Sequence, residues 1–167
     1  MSKTKRIIIL VNLLLLIGYF NWSILAKEKT LSSGHLVLLE LAPVDPRSLI
    51  QGDYMRLNYK INDMPEKQQI TKRGYCIIKQ DAKGVGQRIR FQDELQPLQP
   101  GELAVKYFTN GNRYFTTLHI GAESFLFEEG QDKLFSNAKY GGLKVDDAGN
   151  SVLEGLYDEH FQLIKYK

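Results

Sequence analysis

The pattern of apolar and polar residues divides the chain into one long apolar run and a series of short alternating segments. Residues 7–25 carry no charge. At ~1.5 Å per residue, a helix of this length is roughly 28 Å long, which matches the ~30 Å hydrocarbon core of a bilayer. The run therefore predicts one membrane-spanning helix. From His35 onward, apolar residues recur at every second position over short stretches, which is typical of half-buried strands.

Strands are predicted wherever such a stretch is bounded by turn residues. In residues 54–61, for example, the odd-numbered positions form one apolar face. Asn110-Gly111 is a strong signal for a tight hairpin between two of the strands. The predicted strands lie at residues 35–41, 54–61, 74–80, 85–92, 103–109, 113–120, 124–127, 143–145 and 151–157.

One further helix is predicted, at residues 128–139. Glu128 falls in its first turn, and Gly141-Gly142 follows as a stop signal. Because strands and helices do not alternate regularly, a parallel sheet is not indicated. We expect a mainly β (α+β) fold, in which an antiparallel sandwich or small barrel of about eight strands carries one covering helix. The expected domains are a cytoplasmic stub and transmembrane anchor at 1–26, a polar tether at 27–34 and a β-rich outer domain at 35–167.

The charges at the N-terminus indicate how the anchor is oriented. Lys3, Lys5 and Arg6 precede the apolar run, and the positive-inside rule places such a cluster in the cytoplasm. The alternative is a cleaved secretory signal, whose apolar core usually spans only ~7–15 residues and ends at small residues. Here the run is longer, and bulky Ile24 stands where a small residue is preferred. We expect an uncleaved anchor with the β-rich domain on the outer side.

The remaining composition argues against several function classes. The chain has 22 basic and 19 acidic residues, and subtracting the basic cluster at the N-terminus (22 − 3) leaves 19 against 19. A neutral domain offers no electrostatic footprint for nucleic acid. The single Cys76 cannot form an intramolecular disulfide, and we expect it to be buried. His35, His119 and His160 lack the close spacing of dedicated ligands, so we expect no metal and no cofactor.

The most distinctive stretch is Gly52-Asp53-Tyr54-x-x-Leu57-x-Tyr59, which we call the signature. It follows a turn that contains Pro46, and Gly52 can adopt the positive φ that a tight turn requires. All five specified positions match the motif of the bacterial GDYXXLXY family. The chain resembles this family further at residues 41–49, 127–130 and 140–149. The resemblance implies a protein anchored in the bacterial inner membrane with a periplasmic domain, and it carries over no catalytic residues.

Charged residues around the signature turn form the first candidate site. Asp45, Arg47 and Asp53 lie close together in the sequence. They either form a binding loop that presents Arg47 to an anionic or carbonyl partner, or they hold the loop through an Asp–Arg bridge and an Asx turn. Turn chemistry alone accounts for Asp53. The candidate residues of this site are Arg47, Gly52, Asp53, Tyr54, Leu57 and Tyr59.

The second candidate site lies within the apolar run. Asn12, Tyr19 and Ser23 fall on one face of a helix, and Asn21 falls on the other. A polar group in hydrocarbon is costly unless a partner satisfies it. The stripe is therefore either a contact face or a feature that a lone helix tolerates. Genes of the GDYXXLXY family often lie beside genes for multi-pass membrane proteins, so the resemblance implies a polytopic partner; self-association through the helix is the alternative.

Two function classes follow from these observations. Membrane-anchored signal peptidases carry the pattern Ser-Met-x-Pro-Thr-Leu-x-x-Gly-Asp, and aligning it on Gly52-Asp53 puts Val44 at the position of the nucleophilic serine. A valine cannot attack a peptide bond. We therefore expect a binding or accessory domain rather than an enzyme. The alternative is an envelope hydrolase whose active site no motif reveals.

Overall fold

A long N-terminal helix leads into nine strands in this computed structural model, which describes residues 2–42, 54–63, 70–111, 116–128 and 130–165. A 3-10 turn (Lys60–Asn62) and one short helix complete the described elements. In chain order the helices and strands are α1 (Lys3–Ser33), β1 (His35–Glu40), β2 (Tyr54–Arg56), β3 (Arg73–Gln80), β4 (Gly86–Gln92), β5 (Glu102–Gly111), β6 (Thr116–His119), β7 (Ser124–Leu126), α2 (Asp132–Phe135), β8 (Tyr140–Val145) and β9 (Ser151–Tyr157).

The strands form three antiparallel sheets that curl into a half-barrel. Their strand orders are β1-β8-β9, β4-β3-β5-β6 and β2-β7. A bridge between Leu38 and Val85 joins the first sheet to the second. The opposite edges of the same two sheets also meet. There the Ser151 hydroxyl of β9 donates to the carbonyl oxygen of Ile120, which follows β6, at 2.9 Å. The predicted fold class, mainly β with an N-terminal apolar helix, is confirmed.

The core takes residues from both faces of β1 and β3. Residues 37–39 of β1 and residues 76–78 of β3 are all buried, so a period of two does not separate an inner from an outer face there. In the stretch that holds the signature the alternation is seen: Leu57, Tyr59 and Ile61 are buried, although the regular strand ends at Arg56. Burial removes these apolar side chains from water, which is the main force holding such a half-barrel together.

The predicted helix at 128–139 is wrong in its extent, because α2 is a single turn, Asp132–Phe135. Gly141 and Gly142 do not stop a helix but lie inside β8. A Cβ added at Gly141 would lie 2.8 Å from Cε1 of Tyr59, and one at Gly142 would collide with Tyr157. These glycines are present because aromatic rings pack directly on the strand.

The predicted hairpin between β5 and β6 exists, but its turn is not at Asn110-Gly111. Asn110 pairs with Thr117 and Gly111 with Thr116, so both residues belong to the ladder. A two-residue turn there would pair Phe108 with Arg113 instead. The observed register places Phe108 opposite His119, and their rings stack with centroids 5.0 Å apart. That stacking favours the observed register.

Helix α1 is long and apolar enough to cross a membrane, and no other helix in the described ranges passes the same test. Its apolar window is 0% buried within the protein. The segment predicted as a tether, residues 27–34, continues this helix to Ser33. Nearly all of the predicted tether therefore forms the last two turns of α1.

Gly141→Ala tests the close packing on β8. We expect a loss of about 1–3 kcal/mol in the free energy of unfolding, because the added methyl group overpacks the contact with Tyr59. Thermal and urea unfolding, followed by circular dichroism, measure this change. Lys139→Ala, at an exposed neighbouring position, is the matched control and should stay within about 0.5 kcal/mol of wild type. Equal stabilities of the two variants would contradict the packing role.

Candidate functional site

The described part of the signature is a packing element. Tyr59 is 0% exposed, and its hydroxyl donates to the carbonyl oxygen of Ala122 at 2.6 Å. Leu57 is buried, and its N–H donates to the carbonyl oxygen of Glu123 at 2.8 Å. Burial, with a smaller contribution from the nearby Glu123 carboxylate, raises the pKa of Tyr59 far above its usual value. The phenol is therefore a neutral donor that joins the signature to the segment before β7.

The other signature residues lie at the edge of the described structure or outside it. Tyr54 begins β2, and its backbone pairs with Leu126 of β7. Arg47, Gly52 and Asp53 lie outside the described residues. Both hypotheses for this loop, a binding loop that presents Arg47 and a loop held by an Asp–Arg bridge, thus stay predictions.

The polar residues of the apolar helix satisfy part of their own hydrogen bonding. The side-chain amide of Asn12 donates to the carbonyl oxygen of Ile8 at 3.0 Å. Asn21, on the opposite face, donates to Ile17 in the same way at 2.8 Å. Tyr19 and Ser23 share the face of Asn12, and Tyr19 is 63% exposed. The predicted contact face stays a prediction, and its energetic cost in lipid is smaller than an unbonded amide would impose.

The last turns of α1 pack against the β-domain. Thr30 is only 5% exposed. Its hydroxyl lies 3.2 Å from the carbonyl oxygen of Ala26 and 3.1 Å from Oδ2 of Asp146, two acceptors for the one proton. At Gly34, which follows the helix, an added Cβ would lie 3.1 Å from the backbone nitrogen of Val145. The helix therefore meets β8 and the turn after it in direct contact.

Asp146 organises the turn between β8 and β9. Its Oδ1 accepts from the backbone N–H groups of Ala148 at 3.0 Å and Asn150 at 2.8 Å. Its Oδ2 accepts from the side-chain amide of Asn150 at 2.9 Å. Partial burial raises the pKa of Asp146, but the hydrogen bonds from Asn150, Thr30 and Ala148 outweigh it, so the pKa is lowered. The carboxylate therefore stays charged at neutral pH.

A hydrogen bond connects Asn150, and through it Asp146, to an open cleft that no sequence motif predicted. The side-chain oxygen of Asn150 accepts from Nζ of Lys106 at 2.8 Å. The cleft, which we call the β5 cleft, has a volume of about 320 Å³. It combines two cationic side chains with an exposed aromatic ring. Its lining residues are Arg73, Lys106, Tyr107, Phe108, Ile120, Gly121, Asn150 and Ser151.

A second cleft, of about 290 Å³, lies near the other end of β1, between Glu40 and the start of β4. Lys60 forms an ion pair with Glu40 there. Arg88 donates to the carbonyl oxygens of Ile61 and Asp63. The charged side chains of this second cleft are thus bound to one another or to the backbone, and these contacts hold the 3-10 turn in place.

The histidines and the cysteine lie apart. His119 is 3.9 Å from Glu123, His35 is 3.9 Å from Asp147, and His160 pairs with the adjacent Glu159. Within the described ranges, no group of three potential metal ligands occurs. Cys76 is fully buried, as predicted. Burial raises the pKa of Cys76 to about 12, against a lowering effect of Arg88, so the thiol is protonated at neutral pH and unreactive.

The lowered pKa of Asp146 predicts that the contribution of this carboxylate to stability depends on pH. A carboxyl group with a lowered folded-state pKa stabilises the fold above its unfolded pKa, and this stabilisation is lost as the pH falls through the folded value. Asp146→Asn should therefore lower the melting temperature at pH 7, and the difference from wild type should shrink steadily below about pH 4. Asp147→Asn, fully exposed at the next position, is the control. A difference that does not change with pH would contradict the assignment.

Comparison with known proteins identifies the family of this chain. The model of the family described as GDYXXLXY protein matches residues 16–156, which is most of the chain and includes the whole signature. No curated protein and no solved structure matches. The matched region begins inside α1 and ends in β9, so it covers the second half of the helix together with the half-barrel. The chain therefore belongs to the GDYXXLXY family.

Proposed function

We propose that this protein is a single-pass, membrane-anchored accessory domain that binds a multi-pass protein of the bacterial inner membrane and has no chemistry of its own. The observation that carries the proposal is the contact between Thr30 and Asp146 at the base of the β-domain. A flexible linker would let a domain sample many orientations. A helix packed on the domain holds one face of the half-barrel at a set height and angle above the bilayer, as a docking subunit requires.

The exposed apolar surface of α1 supports the anchored state. Its side chains, such as Leu15 at 67% and Trp22 at 68% exposure, are covered by nothing else in the described chain. Such a surface is stable only in lipid or against another protein. Lys3, Lys5 and Arg6 at its start favour a cytoplasmic N-terminus and a periplasmic β-domain.

The face formed by Asn12, Tyr19 and Ser23 is the part of the helix that we assign to the partner. The Asn12 amide donates one hydrogen bond to Ile8, which leaves its second N–H and its oxygen for a neighbouring helix. Interhelical hydrogen bonds of this kind contribute about 0.6–2 kcal/mol each. A polytopic protein offers several helices at once, whereas a second copy of the chain offers one.

The alternative, an envelope hydrolase, would depend on the pair His119 and Glu123. Glu123 Oε1 lies 3.9 Å from Nδ1 of His119. The same oxygen accepts from the backbone N–H groups of Ile120 and Gly121, and the His119 ring is stacked on Phe108. Both side chains thus serve the loop after β6. This engagement favours the accessory domain over the hydrolase.

The proposed topology is tested with fusions after Lys167. We expect alkaline phosphatase, which folds only outside the cytoplasm, to be active there and a cytoplasmic reporter to be inactive. Mass spectrometry of the purified protein should show that the N-terminal segment is retained. A mature chain that begins at Lys27 and washes off the membrane would contradict the anchor.

The proposed partner is tested by crosslinking in membranes. The double variant Asn12→Leu/Tyr19→Phe should reduce recovery of a polytopic partner several-fold, because it removes the polar groups of the proposed face. Asn21→Leu removes an equivalent amide from the opposite face of the helix and should leave recovery unchanged. Recovery that is the same for all three proteins, or recovery of this chain alone, would overturn the proposed partner.

A further inference from the structure

We propose that the β5 cleft binds the phosphate group of an anionic phospholipid in the membrane that holds α1. The proposal rests on the membrane anchorage proposed above and concerns a different surface from the helix face assigned to the partner. It is carried by three observations: the position of the cleft beside the end of the anchor, its link to that anchor through hydrogen bonds, and its positive charge, which forms no ion pair within the described residues.

The cleft lies at the end of the half-barrel that faces the bilayer. Strand β1 leaves the helix at His35, which pairs with Val145 at the end of β8. The turn after Val145 reaches back to Thr30. Thr30 is five residues beyond the apolar run that ends at Leu25, a rise of about 7.5 Å along a helix. The headgroup layer of one leaflet is about 5–8 Å thick, so this turn sits at headgroup height.

A continuous series of contacts ties the cleft to the anchor. The Thr30 hydroxyl is 3.1 Å from Asp146 Oδ2, which also accepts from the Asn150 amide at 2.9 Å. Asn150 in turn accepts from Nζ of Lys106 at 2.8 Å. The backbone N–H of Lys106 donates to the carbonyl oxygen of Gly149 at 2.8 Å. The height of Lys106 above the bilayer is therefore set by the helix rather than by a flexible loop.

The positive charge of the cleft suits a phosphate. Arg73 on β3 pairs with Phe108 on β5. Phe108 is two residues from Lys106 on the same strand, so the side chains of Arg73 and Lys106 lie on one face of the sheet. Within the described ranges, the Arg73 guanidinium has no hydrogen-bond or ion-pair partner. Three carboxylates lie nearby: Asp93 accepts from Thr71, Asp146 from Thr30 and Asn150, and Glu123 from the backbone of Ile120 and Gly121. Within the described ranges none of them forms an ion pair with Arg73 or Lys106. A guanidinium and an ammonium that line the same cleft are suited to binding a phosphate.

The aromatic ring at the rim favours a lipid over a soluble phosphate. Phe108 is 46% exposed and stacks on His119 at a centroid distance of 5.0 Å. An exposed aromatic ring at headgroup height contacts the boundary between acyl chains and headgroups, where aromatic residues are enriched. Lys27 and Lys29, exposed on the same stretch of α1 as Thr30, flank the exposed Glu28, and the three residues together add one net positive charge at this level.

The experiment uses the full chain in nanodiscs of phosphatidylcholine with a minor share of phosphatidylglycerol. After transfer to mild detergent, native mass spectrometry counts the lipids that remain bound. Wild type should retain phosphatidylglycerol, and Arg73→Gln/Lys106→Gln should reduce this retention by about tenfold, the effect of about 1.4 kcal/mol. Lys139→Gln/Lys165→Gln removes the same charge near the opposite end of β8 and β9 and should behave as wild type. Circular dichroism checks that each protein is folded, and Arg73→Gln alone, at an exposed position, repeats the test if the double variant is not.

The remaining outcomes separate this inference from the proposed function. Equal retention of phosphatidylglycerol by wild type and the double variant would overturn the lipid site. Binding of inorganic phosphate by the solubilised protein without retention of the lipid would overturn the lipid as its source. If the reporter after Lys167 is periplasmic and the partner is recovered, either result leaves the accessory function standing. Release of the chain from the membrane would instead remove the anchorage on which the lipid site depends.

Discussion

One carboxylate, Asp146, joins helix α1 to the β-domain. It closes the turn between β8 and β9 through the backbone N–H groups of Ala148 and Asn150, and its second oxygen accepts from Thr30. A turn that formed without this carboxylate would leave the buried Thr30 hydroxyl with only its own helix as an acceptor. Because both oxygens are used, the orientation of the helix and the shape of the turn are set by the same group.

The signature has a corresponding role on the other side of the core. Tyr59 donates to Ala122, and its ring lies where any side chain at Gly141 would be. A buried hydroxyl without an acceptor would cost about 1–3 kcal/mol, so Tyr59 fits this site only while the segment before β7 is in place. The described half of the family motif thus joins three non-adjacent parts of the chain. Its chemistry is that of packing and hydrogen bonding.

The two clefts differ in how their charged side chains are used. The cleft near Glu40 is filled with ion pairs and backbone contacts that hold the 3-10 turn. The β5 cleft, at the end where the helix enters, combines Arg73 and Lys106 with an exposed ring. Electrostatics of the whole domain would not distinguish the two, because its charges balance. The two clefts differ instead in the placement of a few side chains.

The sequence alone determined the apolar run, the mainly β class, the burial of Leu57, Tyr59, Ile61 and Cys76, and the family, because length, period and motif are local properties of a chain. It misjudged Gly141-Gly142 and Asn110-Gly111, since a glycine needed under an aromatic ring looks the same as one that ends a helix or forms a turn. Only the tertiary structure brought Thr30 to Asp146, 116 residues apart, and Arg73 beside Lys106. Strand pairing decides such contacts, and no local pattern encodes which strands pair.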